Sequence, residues 1–137
     1  MIRFDYFAIL IIFYSIHVDC STNNTTEAEA NNTTVADEIN ELISNHKVTL
    51  FSKTYCPYSK GIKRILSNYQ INDLKIVEID LRKDGKSVLR ELEKISQIHT
   101  VPQLFVNKKF VGNFDAVSAM EKEHTLSQVL REAQAIE

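Results

Sequence analysis

Residues 54–59, Thr-Tyr-Cys-Pro-Tyr-Ser, connect an apolar run to a segment with helical periodicity. The run, residues 48–51, carries the β-branched and aromatic residues that are typical of a buried strand. In residues 60–69 the apolar side chains recur every three or four positions, which is the spacing of one helix face. The chain is therefore predicted to deliver Cys56 from the end of a strand to the first turn of a helix.

Cys56 is predicted to be an exposed, reactive nucleophile. The amino-terminal end of a helix has unpaired N–H groups and a partial positive charge, and both favour a thiolate over a thiol. Lys53 adds a positive charge three positions earlier, and Pro57 suits the first helical position because it has no N–H to leave unpaired. A small buried cysteine is the alternative, but the polar, turn-like flank of Cys56 does not favour it.

The rest of the chain continues the alternation of helices and strands. Thr34 is predicted to cap a first helix whose apolar face holds Ile39, Leu42 and Ile43, and residues 107–108 are predicted to turn a hairpin. Further strands are predicted at residues 74–79, 103–106 and 109–111, and further helices around residues 88–95, 116–121 and 126–135. This order predicts an α/β fold in which helices cover both faces of a mixed sheet.

Three motifs, in this order, resemble those of the glutaredoxins, which have the thioredoxin fold. They are residues 51–59 (Phe-Ser-Lys-Thr-Tyr-Cys-Pro-Tyr-Ser), residues 100–102 (Thr-Val-Pro), and the pair Gly112 and Asp115. The resemblance runs from residue 35 to the end of the chain. It implies a glutaredoxin domain at residues 35–137, with a mixed four-stranded sheet.

The resemblance also implies roles for individual residues around the thiol. Cys56 matches the family's catalytic nucleophile. Lys53 and Tyr58 match positions that contact glutathione, and the lysine would bind its glycine carboxylate. No residue matches a metal ligand, and His99 is interpreted as a structural or solvent-exposed histidine.

Two further segments are implied to hold glutathione. Pro102 matches a cis-proline that faces the cysteine, and it leaves the backbone of Val101 free to pair with the cysteinyl part of glutathione in the manner of a short added strand. Asp115 matches the residue that holds the γ-glutamyl amine, together with the backbone of Phe114.

The chain departs from the family pattern at three places. Ser59 stands where dithiol members have a second cysteine, which places the chain in the single-cysteine (monothiol) class. Asn113 and Ala116 stand where the family often has a glycine and a second aspartate. Asparagine tolerates a positive φ better than most residues, which would preserve that turn. Capping of a helix that begins near Ala116 is an alternative role for Asp115, and it is compatible with binding the amine.

The function that the resemblance implies is a glutathione-dependent thiol–disulfide oxidoreductase. It would reduce, or form, protein–glutathione mixed disulfides by a single-cysteine mechanism, with glutathione as co-substrate and glutathionylated protein thiols as partners. Some single-cysteine relatives instead hold a [2Fe–2S] cluster between two subunits, but Pro57 argues against this, because those members usually have glycine or serine there. An inactive lumenal adaptor is the other alternative.

The amino-terminal part predicts a place in the secretory pathway. Residues 1–20 have the short apolar stretch of a signal peptide, and an uncleaved signal anchor is the alternative. Residues 21–34 are polar and are predicted to form a disordered spacer, with Asn-X-Thr glycosylation sequons at Asn23, Asn24, Asn31 and Asn32. These features resemble the secretory-pathway glutaredoxins, so we expect the protein in the endoplasmic reticulum or Golgi lumen, or outside the cell.

Charge and cysteine content are consistent with a small anionic substrate. The formal net charge is −2, but from Lys47 onward there are 15 Lys and Arg against 11 Asp and Glu, a balance of +4. That excess is too small and too dispersed to predict nucleic-acid binding, and membrane attachment is expected only if the leader stays as an anchor. If the leader is cleaved after Cys20, Cys56 is the one cysteine left, which favours a free reactive thiol.

Overall fold

The computed structural model describes residues 34–137. The predicted signal peptide, and all but the last residue of the predicted spacer, lie outside that range. The first helix, α1, is Val35–Asn45, and Thr34 caps it as predicted. The Thr34 hydroxyl accepts the N–H of Asp37, whose carboxylate accepts the N–H of Thr34 in return, so the helix start is held from both sides.

The remaining elements follow the predicted order. They are β1 Val48–Ser52, α2 Pro57–Leu66, β2 Leu74–Glu78, a short 3-10 helix Ile79–Leu81, α3 Gly85–Ser96, β3 Gln103–Val106, β4 Lys109–Gly112, α4 Phe114–Lys122 and α5 Thr125–Glu132. Helix α2 begins and ends three residues earlier than the periodicity alone indicates. Its carboxyl end tightens because Asn68 and Tyr69 donate to carbonyls three residues back, at Ile65 and Leu66.

The four strands form one mixed sheet in the order β2-β1-β3-β4. Strand β1 pairs parallel with β2 and antiparallel with β3, and β3 pairs antiparallel with β4. All five residues of β1 are buried. A central buried strand therefore leads directly to Cys56, which fixes the position of the thiol in the fold.

Each face of the sheet has its own apolar core. One core packs α2, α4 and α5 against side chains such as Leu50 and Leu104, and the other packs α1 and α3 against Phe51 and Phe105. The rings of Phe51 and Phe105 meet edge to face, with centroids 5.7 Å apart. The prediction of helices on both faces of the sheet is confirmed.

The hairpin between β3 and β4 turns at the predicted pair. Asn107 and Lys108 have φ values of 48° and 68°. Positive φ at both central residues is typical of the type I′ turn, whose twist matches that of the two strands in a two-residue hairpin. Among residues 34–137, none of the helices has the length and apolar character that crossing a bilayer requires.

Candidate active site

Cys56 is the N-cap residue of α2, directly beyond the loop that leaves β1. Pro57 occupies the start of the helix, as its fixed φ predicts. The thiol is partly exposed rather than fully exposed, and it is free. The loop closes on itself, because the N–H of Cys56 donates to the carbonyl of Lys53 at 3.2 Å. Local chain geometry thus holds the lysine and the thiol on one short turn.

The pKa of the Cys56 thiol lies below its ordinary value. Partial burial raises this pKa, but groups that stabilise the thiolate outweigh the burial. These are the hydroxyl and backbone N–H of Ser59, the backbone N–H of Tyr58, and the charge of Lys53. The two N–H groups belong to the first turn of α2, so the prediction that a helix start favours the thiolate is confirmed.

Ser59 stabilises the thiolate from a fully buried position. Its Oγ accepts the N–H of Lys53 at 3.4 Å, so its own hydrogen is available to the Cys56 sulfur. The residue that replaces a second cysteine therefore also links the lysine-bearing loop to the helix.

The opposite wall of the site is the segment before β3. The peptide bond between Val101 and Pro102 is cis, as the resemblance implies, and the Val101 carbonyl oxygen lies 4.0 Å from the Cys56 Sγ. A groove of about 310 Å³ lies between this segment and the start of α2. It is lined by Lys53, Tyr55, Cys56, Pro57, Tyr58, His99, Thr100 and Val101.

Three of the six predicted glutathione contacts, Lys53, Tyr58 and Val101, line this groove together with Cys56. Phe114 joins them indirectly, since its ring centroid lies 5.5 Å from that of Tyr58. Asp115 is exposed on the first turn of α4. Within residues 34–137 the groove lining includes neither of these two residues, nor Pro102.

The turn before α4 differs from the expectation. The helix begins at Phe114, and its N-cap is Asn113, whose side chain accepts the N–H of Ala116 at 3.1 Å. The alternative role of Asp115 as the cap is therefore not observed. Asn113 has a φ of −87°, so it does not need to tolerate a positive φ. Gly112 takes it instead, at 154°.

Asp80 has a role beside the site that the sequence did not predict, whereas His99 is solvent-exposed, as interpreted. The Asp80 carboxylate accepts both the N–H of Thr54, at 3.0 Å, and the Thr54 hydroxyl. The Asp80 side chain thereby links the two chain segments two residues beyond Ser52 and Glu78, the last pair of β1 and β2. His99 lines the groove and contacts Glu93 of α3, with Nδ1 to Oε1 at 2.7 Å.

Comparison with known proteins agrees with this geometry. The sequence model of the family described as Glutaredoxin matches residues 48–111. An uncharacterised monothiol glutaredoxin of Caenorhabditis elegans is 45% identical over 100 residues, which is 73% of this chain and 68% of that protein. The chain belongs to the glutaredoxin family.

Solved glutaredoxins share the fold. The holo form of glutaredoxin C1 from Populus tremula x tremuloides has a TM-score of 0.68 and 31% identity, covering 72% of this chain and 97% of that one. A buckwheat glutaredoxin–glutathione complex has a TM-score of 0.72 and 25% identity, covering 81% and 100%. The predicted thioredoxin fold and the predicted family are both confirmed, and Cys56 is the single cysteine of residues 34–137.

Membership of the glutaredoxin family supports a glutathione-dependent redox function. A [2Fe–2S] cluster takes four protein or thiol ligands. The described residues of one chain supply one thiolate, and they contain no group of three or more His, Cys, Asp or Glu side chains.

Proposed function

We propose that this glutaredoxin is a single-cysteine oxidoreductase that transfers glutathione to and from protein thiols. The observation that carries the proposal is the placing of Cys56. Its thiolate is stabilised at the start of α2, and it faces the backbone of Val101 across an open groove. A nucleophilic sulfur beside an extended backbone edge suits a peptide substrate that presents a disulfide.

Glutathione is proposed to lie along the groove with its disulfide sulfur at Cys56. Lys53 would bind the glycine carboxylate, and the backbone of Val101, held by Pro102, would pair with the cysteinyl residue. Tyr58 is 59% exposed, so its ring is available to cover the tripeptide from the α2 side.

The γ-glutamyl end is proposed to reach α4. Asp115, exposed in the first turn of that helix, would hold the amine, and the backbone of Phe114 would assist. The Phe114 ring packs against Tyr58, which couples this end of the site to the helix that carries the thiol. The four parts of the proposed site thus come from the β1–α2 loop, α2, the segment before β3, and α4.

The reaction is two thiol–disulfide exchanges. The Cys56 thiolate attacks the glutathione sulfur of a protein–glutathione disulfide, forms a Cys56–glutathione disulfide and expels the protein thiolate, which takes a proton from solvent. A glutathione thiolate then attacks the glutathione sulfur on Cys56, releasing glutathione disulfide and restoring the Cys56 thiolate. Run in reverse, the same steps glutathionylate a protein, and the glutathione redox poise sets the direction.

The proposed location is the secretory pathway lumen or the extracellular space. It is supported by the signal-like residues 1–20 and by the four sequons that follow them. The full chain expressed in eukaryotic cells should lose apparent mass on treatment with an N-glycosidase, and a variant with all four sequon asparagines changed to glutamine should not respond. An unglycosylated wild type in the cytosol would contradict this location.

The activity is tested by glutathione-dependent reduction of a small glutathione mixed disulfide, with the full chain beside its Cys56→Ser variant. Turnover that the variant lacks is the expected result. A folded, colourless wild type without turnover would contradict the proposal and favour the adaptor. A preparation that absorbs visible light and contains iron and sulfide would favour the cluster.

A further inference from the structure

The segment that forms the far wall of the groove packs into the apolar core at its end, through Val101, and is exposed just before it. His99 and Thr100 are exposed, and the preceding Gln97 ends α3 in the left-handed region, with a φ of 61°. Exposed backbone of this kind has many accessible conformations unless something ties it down. Core packing holds the Val101 side chain, but the path of the exposed backbone that leads to it past Cys56 needs a separate explanation.

Gln103 ties this segment to the sheet. Its side chain is fully buried, and its Nε2 donates to the carbonyls of Ile98 and Thr100, each at 2.9 Å. Gln103 is itself held in the sheet, where β3 pairs it with Phe51 of β1. One amide thus connects the central strands to two carbonyls of the segment that ends at Val101.

The contact with the Ile98 and Thr100 carbonyls needs a donor with two hydrogens, which the Gln103 amide nitrogen supplies. Both partners are carbonyl oxygens, which only accept, so a donor with two hydrogens satisfies them together. The amide oxygen of Gln103 is buried without a hydrogen-bond partner among residues 34–137. A buried polar atom without a partner destabilises a fold, so an apolar residue would suit this position better if packing were its only role.

We propose that Gln103 is a positioning residue for glutathione, which it serves by fixing the segment from Ile98 to Val101 at a set distance from Cys56. The proposal rests on the glutathione transfer proposed above and adds to it the residue that sets the width of the groove. The hydrogen bonds of the Gln103 amide go to Ile98 and Thr100 and not to Cys56, so we expect a substitution to change how the peptide is held and to leave the reactivity of the thiol unchanged.

The test replaces Gln103 by methionine, which has similar length and no donor, in the full chain with Cys20→Ser so that Cys56 is the only thiol. We expect kcat/KM for a glutathione mixed disulfide to fall about tenfold, as expected for losing two hydrogen bonds that order the site. The rate and pH midpoint of Cys56 alkylation by iodoacetamide, which needs no groove, should stay within about twofold and a few tenths of a pH unit of the parent.

Thr49→Val is the matched control. Thr49 is also buried in a central strand, and its hydroxyl donates to the Leu42 carbonyl at 3.2 Å, at the other end of β1 from the thiol. This variant loses a buried side chain–backbone hydrogen bond without touching the groove. It should keep the parent kcat/KM even where its unfolding temperature falls as far as that of Gln103→Met.

A second variant, Gln103→Leu, also lacks the donor but has a side chain of different shape. It is measured beside the first, with circular dichroism to confirm that both are folded. Folded Gln103 variants that match the parent in kcat/KM would overturn the inference while leaving the proposed function intact. Unfolding of both variants, or an equal loss of alkylation rate, would also overturn it, because the glutamine would then support the fold or the thiol. An inactive parent would refute the proposed function itself.

Discussion

Replacing Ser59 by alanine should raise the pKa of the Cys56 thiol. The hydroxyl is fully buried and already accepts the Lys53 N–H, so its hydrogen faces the sulfur without competition from water. Burial raises this pKa, and among the groups that lower it the Ser59 hydroxyl has the largest effect. The alanine variant keeps the charge of Lys53 and both backbone N–H groups. It removes the hydroxyl both as a donor to the sulfur and as the acceptor of the Lys53 N–H.

The expected shift is about one pKa unit. A hydrogen bond to a charged group contributes roughly 1.5–3 kcal/mol, and we take the low end because sulfur is a weak acceptor. One pKa unit corresponds to about 1.4 kcal/mol. At a pH well below the midpoint the thiolate fraction should fall about tenfold, and the remaining thiolate should be about threefold more nucleophilic, so the alkylation rate should fall about threefold. At high pH, where both proteins are fully ionised, the variant should react about threefold faster than the parent.

The assay is the rate of iodoacetamide alkylation against pH, in the full chain with Cys20→Ser. Ser67→Ala is the control, since Ser67 ends the same helix and its hydroxyl donates to the Arg64 carbonyl at 2.7 Å, far from the thiol. The control midpoint should equal that of the parent. A Ser59→Ala midpoint equal to or below the parent's would refute the assignment of the hydroxyl as a thiolate donor.

Three other changes have definite expected outcomes. Lys53→Gln should raise KM for a glutathione mixed disulfide by about five- to tenfold, because one charge-assisted contact with the substrate is lost. Steady-state kinetics would measure the change, with Lys60→Gln as the control. Gly61→Ala places a Cβ 2.4 Å from the Phe114 ring, so the ring must shift and KM for the mixed disulfide should rise. Calorimetry should show a stability change of less than about 1 kcal/mol, because the clash offsets the gain in helix propensity. Arg82→Met removes the partner that lowers the pKa of Glu38. Because the Glu38 side chain is 40% exposed and solvent screens the pair, urea unfolding should show a loss of at most about 1 kcal/mol at neutral pH. That loss should shrink as pH falls below about 4, because a carboxylate with a lowered folded-state pKa contributes stability above its unfolded pKa and loses it on protonation.

Local patterns in the sequence were enough to predict the elements and their order. The cap at Thr34 and the hairpin turn at residues 107–108 are formed by residues within a few positions of one another. The strand before Cys56 is predicted by its β-branched and aromatic residues, although it is paired with segments distant in the sequence. The sheet order and the thioredoxin fold needed the resemblance as well, because periodicity does not show which strands pair.

The groove itself depends on contacts that are distant in the sequence. Asp80 and Thr54 are 26 positions apart, and they meet because β1 and β2 run parallel. Gln103 reads in the sequence as one position of a strand, and its bonds to the preceding carbonyls follow from the path of the segment before Pro102. The family pattern drew attention to the backbone conformation of Asn113, whereas its side chain acts locally as the N-cap of α4. Polar side chains with several possible partners are where sequence reasoning is weakest.

The most direct test of the proposed chemistry is to isolate the Cys56–glutathione disulfide. The full chain with Cys20→Ser is mixed with a glutathionylated protein in the absence of free glutathione, quenched in acid and analysed by peptide mass spectrometry. We predict that the glutathionyl group leaves the client and is found on the peptide that contains Cys56, and that added glutathione then removes it. A folded protein that gains no glutathionyl group on Cys56, or a Cys56→Ser variant that deglutathionylates the client equally well, would contradict the proposed mechanism.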